Sequence, residues 1–193
     1  DYESAKADFD KAISMDPKNY DRLIEIYEAL ADYGYREVGQ EYLQNVLDTA
    51  KQLDAYDSGR IYYYLGDYQK AYLALEEAKG KGGVDSYLYL GKAYAATGDY
   101  NYASSVYSNY LSKQGPDAEI YNQLGLCELA KKDYQKALEA FQAGKQIEGN
   151  SLMQTLSFNE IVAYEYLQDY RKAAVLLKAY LQNYPDDQAA IRE

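Results

Sequence analysis

One short string returns along the chain at a nearly constant interval. It reads Asp1-Tyr2-Glu3-Ser4-Ala5, Asp67-Tyr68-Gln69-Lys70-Ala71, Asp99-Tyr100-Asn101-Tyr102-Ala103, Asp133-Tyr134-Gln135-Lys136-Ala137 and Asp169-Tyr170-Arg171-Lys172-Ala173, with a degenerate copy at Gly34-Tyr35-Arg36-Glu37-Val38. Its tyrosines lie at 2, 35, 68, 100, 134 and 170, so the interval stays between 32 and 36 residues. A period this steady dictates an array of stacked supersecondary units, each burying its apolar face only against its neighbours.

Each unit reads as two helices. After Asp-Tyr, apolar residues recur at i, i+4 and i+7, as in Ala71, Leu75, Ala78 and in Ala137, Phe141, Gly144. That spacing puts them on one helical face. The Asp suits a helix start, where a carboxylate caps free N–H groups. Before each Asp-Tyr lies a second periodic stretch, such as Leu90-Gly91 with Tyr94, whose glycine lets the partner helix come close. Pro17, Gly82-Gly83, Gly115-Pro116, Gly149 and Pro185 break the pattern between units. The tyrosines at the six string positions, and Tyr27, Tyr62, Tyr94 and Tyr164 at a second shared position, read as packing residues.

Composition removes most chemistry. The chain has no His and one Cys, so it lacks an imidazole base, the usual zinc ligand sets and an internal disulfide. A net charge of −11, with the basic residues scattered, disfavours nucleic acid and anionic membrane surfaces. No apolar run is long enough to span a bilayer. Gly34-x4-Gly39 looks like the start of a phosphate loop, but Gln40-Glu41 follows where Lys and Ser or Thr are needed. Cys127, beside Leu126 and near Leu129, reads as a small buried hydrophobe. Glu76-Glu77 and Asp186-Asp187 point apart on a helix and read as solvated surface. No catalytic residue, metal or cofactor is expected.

The stretch Tyr87-x2-Leu90-Gly91-x2-Tyr94-x3-Gly98-Asp99-Tyr100-x2-Ala103-x3-Tyr107-x2-Tyr110, with Pro116 beyond, resembles the tetratricopeptide repeat. The resemblance covers nearly the whole chain and is weakest in 19–51 and 154–187. It implies an all-α right-handed α-α superhelix of about eleven helices. The expected parts are a lone second helix at 1–18, units at 19–51, 52–83, 84–117, 118–153 and 154–187, and the start of a C-terminal cap at 188–193. The chain is expected to begin half-way through a unit, with an upstream segment missing.

In this family the first helix of each unit lines a concave face. Carried onto this sequence, the resemblance implies a groove containing Tyr56, Arg60, Tyr63 and Tyr64, then Leu88 and Lys92, then Asn122 and Leu126, and finally Phe158 and Tyr166. Asp21, Glu25 and Glu28 make its first end acidic. The family's chaperone-tail clamp and its asparagine ladder both need residues that these positions lack. Arg60 and Lys92 share one repeat position. Either they attract a carboxylate on the ligand, or they pair with Asp57 and other acids on neighbouring helices. On the first reading Arg60→Ala weakens binding and barely changes stability.

The expected function is a non-catalytic scaffold binding a protein or peptide, one with an acidic group if the two cations are free. The alternatives are a self-assembly module pairing weakly through its terminal helices and, further off, an accessory domain of a larger enzyme. Bacterial members with this acidic, tyrosine-rich look imply an exported, lipid-anchored protein, and the cytoplasm stays open. The helix at 1–18 is expected to fray or to seek a partner through Ala5, Phe9 and Ala12. A cap by Asp186 or Asp187 is expected to start a helix near the end.

Overall fold

The aspartate that opens the repeated string is a helix cap. In the computed structural model, which describes residues 2–79, 81 and 83–192, the carboxylates of Asp67, Asp133 and Asp169 accept the backbone N–H of Lys70, Lys136 and Lys172 at 3.2, 3.3 and 3.1 Å. Each satisfies one donor that a helix start leaves open. The Lys70 and Lys136 ammonium groups fold back onto the same carboxylates at 2.7 and 2.8 Å. That bond holds both acids below the ordinary carboxylate range. Asp99 occupies the same position without a side-chain cap bond and accepts the Thr97 hydroxyl at 3.3 Å instead. Outside the string, Asn19, Asp54 and Asp117 cap three further helices.

Twelve helices and no strand occur among the described residues. They fall into two compact units, up to residue 82 and from residue 83 onward. The first holds α1 (Tyr2–Met15), α2 (Tyr20–Asp32), α3 (Arg36–Thr49), α4 (Ala55–Leu65) and α5 (Tyr68–Ala78). The second holds α6 (Gly83–Ala96), α7 (Tyr100–Gln114), α8 (Ala118–Ala130), α9 (Tyr134–Lys145), α10 (Met153–Tyr166), α11 (Tyr170–Asn183) and α12 (Gln188–Arg192). The Gly80 and Gly82 positions of the expected turn lie outside the described residues. Helices next to each other in sequence pack as pairs, α2 on α3, α4 on α5, α6 on α7, α8 on α9 and α10 on α11.

The first core gathers Leu23, Ile24, Tyr27, Leu43 and Ile61. The second unit buries Ala137, Leu138, Phe141, Leu156 and Ala163 in one cluster, and Ile161, Ala173, Tyr180 and Ala190 in another. The glycine of the first helices is required by close approach. The Tyr107 ring lies where a Cβ on Gly91 would sit, and the Phe141 ring does the same at Gly125. The weak repeat at α10 departs from this pattern for a visible reason. Glu160 stands where Leu90 and Leu124 stand in the units before it, and it is buried. A buried carboxylate needs partners, and Lys145 and Gln142 supply them at 2.6 and 2.8 Å.

Several expectations change. The string tyrosines are not uniformly packed: Tyr35 and Tyr170 are exposed, Tyr68, Tyr100 and Tyr134 are half-buried, and the Tyr2 side chain lies outside the described residues. The residue after a cap sits in the first turn, where little of the partner helix reaches it. At the second shared position only Tyr27 is fully buried, while Tyr62, Tyr94 and Tyr164 keep part of the ring in solvent. The α1 face is partly covered rather than bare. Ile13 packs on the first core, Phe9 is half-buried, and Tyr42 of α3 donates its hydroxyl proton to Asp10 at 2.5 Å. At the other end Asp187 accepts from Ala189 and Ala190 at 3.0 and 3.2 Å, which starts α12 one residue later and raises the helix count by one. The Asp186–Asp187 pair is therefore not plain solvated surface at its second member.

Gly34 is a turn with φ of +85°, and Gly39 is helical against Tyr27, so the phosphate-loop look-alike straddles a helix junction.

Candidate functional site

The first helices of successive pairs are tied to one another by polar side chains. In the first unit, Arg60 of α4 donates to Asp21 of α2 at 2.5 Å and to Asp57 on its own helix at 2.5 Å. Tyr64 of α4 donates to Glu28 of α2 at 2.5 Å. In the second unit, Lys92 of α6 pairs with Glu119 of α8 at 3.5 Å, and Asn159 of α10 donates to Asn122 of α8 at 2.8 Å. Residues four and seven apart on one helix share a face, so these ties mark one surface of α2 and α4 and one of α6, α8 and α10.

Arg60 is 6% exposed, and its guanidinium also lies over the Tyr56 ring, 4.3 Å from the centroid. Burial alone would depress its pKa, but the bonds to Asp21 and Asp57 outweigh that and hold it above its ordinary value. Burial pushes the Asp57 carboxyl up, and the Arg60 charge beside it pulls the other way without cancelling the effect. Of the two readings of Arg60 and Lys92, the structure shows the second: both already carry an acidic partner. The physical reason is that a buried guanidinium must be paired inside the fold before any ligand arrives.

The remaining groove candidates divide by exposure. Asn122 is buried and occupied by Asn159. Tyr56, Tyr63, Tyr64, Leu88 and Phe158 are half-buried. Leu126 is 39% exposed, and Tyr166 is 55% exposed while stacked 4.9 Å from Tyr134. In the first unit, Tyr63 meets Tyr64 edge-on at 5.4 Å and Tyr68 at 5.7 Å. Exposed apolar groups also stand on second helices, at Leu73, Tyr102 and Val175. Glu28, Asp32 and Arg36 join the tyrosines around a cavity of about 480 Å³ in the first unit. Asp32 and Arg36 were missed because the repeat positions that mark the groove stop short of the end of α2 and the start of α3. A larger cavity of about 720 Å³ between α3 and the α4–α5 pair is lined by Glu37, Glu41, Asp48 and Asp67 with Lys70.

Cys127 is buried, and burial pushes its thiol up to about 12, the reverse of an activated nucleophile. Among the described residues, no three His, Cys, Asp or Glu side chains are placed to hold a metal ion, and no helix is long and apolar enough to cross a membrane.

Comparison with known proteins agrees with the geometry. Family models of the tetratricopeptide repeat match residues 1–19, 88–150 and 158–187, together more than half of the chain. Among curated proteins none matches the sequence. The fold is similar to that of a thermophilic tetratricopeptide protein of Thermus thermophilus, with a TM-score of 0.67 at 16% identity over 89% of this chain and 94% of the other. It is similar to MamA of Desulfovibrio magneticus, with 0.63 at 18% over 89% and 98%. It is also similar to YrrB, a tetratricopeptide protein with an unusual peptide-binding site, with 0.62 at 21% over 95% and 96%. The fold is thus an all-α tetratricopeptide solenoid, and the chain belongs to the tetratricopeptide repeat family.

Proposed function

We propose that the chain is a non-catalytic scaffold that binds a peptide segment or a protein surface on the face of its first helices. The observation that carries this is the contrast on that face between satisfied polar groups and open apolar ones. In the second unit Lys92 and Asn122 are spent on internal ties that fix the helices, while Leu126, four residues from Asn122 on α8, and Tyr166, seven residues from Asn159 on α10, stand exposed. In the first unit Arg60 is spent in the same way. Preorganised apolar and aromatic anchors of this kind give binding energy at little ordering cost. The peptide-binding site of YrrB, a protein of similar fold, supports the same reading. A partner recognised through an acidic group loses its main support, because neither candidate cation is unpaired.

Selection from a random-peptide display library tests this. Sequences enriched on the wild-type chain should bind at micromolar Kd, and Leu126→Glu or Tyr166→Glu should weaken those that use the second unit by about tenfold, the factor of about 1.4 kcal/mol. Leu126 is exposed, so the melting temperature of Leu126→Glu should hold, while Tyr166→Glu should lose no more than its stack on Tyr134, about 1 kcal/mol. Enrichment of nothing above background, with light scattering showing a concentration-dependent dimer, would replace the scaffold with self-assembly.

A further inference from the structure

The first unit carries a cavity whose lining has a specific chemistry. Four tyrosine rings stand around it, Tyr27, Tyr63, Tyr64 and Tyr68. Tyr27 lies 5.1 Å from Tyr64, Tyr64 lies 5.4 Å from Tyr63, and Tyr63 lies 5.7 Å from Tyr68, and each pair is steeply inclined, at 58°, 79° and 56°. Inclined rings present both faces and edges to the space between them, and the faces carry the negative end of the ring quadrupole. Two carboxylates join them, Glu28 and Asp32, four residues apart on α2 and both exposed. Glu28 is fixed against the aromatic wall by the Tyr64 hydroxyl. Arg36, at the start of α3, is the one cation among the described residues of the lining.

This combination discriminates among occupants. An anion would meet two carboxylates and the negative ring faces. A neutral apolar side chain would fit the rings but would strip water from Glu28 and Asp32 without replacing it. A cation on a flexible apolar stem satisfies both parts: the stem lies on the rings and the head meets ring faces and carboxylates together. The protein's net charge of −11 adds a field of the same sign. We propose that this pocket takes a lysine or arginine side chain of the bound peptide. The proposal rests on the scaffold reading and gives it a specificity: the partner segment is basic at the position that reaches α2.

Amide-resolved NMR titration tests it with four capped tripeptides, glycine–X–glycine, where X is lysine, arginine, norleucine or glutamate. The lysine and arginine peptides should shift the amide signals of Glu28, Asp32, Tyr63 and Tyr64 at concentrations up to about 10 mM, a weak affinity suited to one side chain. Norleucine and glutamate should not. Tyr63→Phe keeps the ring face and should bind as wild type, whereas Tyr63→Leu should weaken binding about fivefold. The Glu28→Gln, Asp32→Asn double variant should lose at least as much. Arg36→Gln removes a like charge and should tighten binding. Equal shifts from norleucine would reduce the pocket to an apolar crease. Glutamate binding that Arg36→Gln abolishes would make it an anion site. Either result, or silence at these four amides with all peptides, overturns the proposal. Display-selected peptides that bind at Leu126 and Tyr166 while ignoring the pocket would leave the scaffold standing without it.

Discussion

At the residue scale, the two kinds of buried exception in this fold make opposite demands. Gly91 and Gly125 are needed because an aromatic ring from the partner helix fills the space of their missing side chain. Gly91→Ala should force Tyr107 aside and lower stability by about 1–3 kcal/mol, read from the midpoint of urea unfolding. Arg60 is the reverse, a charge that must be present. Removing it leaves Asp57, itself half-buried, without its partner and empties the space over Tyr56. Arg60→Ala should therefore cost about 2–3 kcal/mol. The sequence left two roles open for this residue, ligand contact with little effect on stability or pairing with Asp57 and neighbouring acids. Pattern alone could not separate a groove cation from a paired one, because Asp21 lies thirty-nine residues away and only the packing of α2 on α4 brings it within reach.

At the element scale, caps decide where helices begin and how they respond to acid. The period and the capping Asp were legible because both are local. Asp99 shows the limit, since its neighbour Thr97 competes for the carboxylate. Asp117→Ala removes the bond to the Ile120 N–H and should cost about 1 kcal/mol in thermal unfolding. Asp67, Asp133 and Asp187 are held below their ordinary values, the first two chiefly by lysine and the third chiefly by the Tyr180 hydroxyl. Acids with depressed folded pKa contribute stability that is fully present above the unfolded value of about 3.9 and is lost as pH falls through the folded value. The melting temperature should accordingly fall from pH 5 toward pH 2.5, and Asp67→Asn with Asp133→Asn should flatten that fall. The exposure of Tyr35 and Tyr170 was not legible, because a shared repeat position fixes direction but not what the neighbouring unit brings to meet it.

At the scale of the whole molecule, the repeat predicts the fold class, whereas the groove face follows from the family. The six-tyrosine period specifies a repeat array, and the i, i+4, i+7 apolar spacing on either side of it specifies that each unit is a pair of helices. Among the described residues α1 packs far less closely on its neighbour α2 than α8 and α9 pack on theirs, and it should exchange its amide hydrogens faster than they do. Tyr42→Phe, which removes the Asp10 hydrogen bond, should speed that exchange further. The candidate groove was legible only as a set of positions. Which of them bind and which brace the fold depends on polar ties between helices distant in sequence. The central claim is that partners meet the first-helix face and not the second helices, which also expose apolar groups at Leu73, Tyr102 and Val175. The most direct measurement maps amide shifts on the labelled chain with a display-selected peptide. Shifts centred on Leu126 and Tyr166, or on Tyr63 and Tyr64, are the predicted result. Shifts centred on Leu73, Tyr102 or Val175, with the first helices silent, would contradict it.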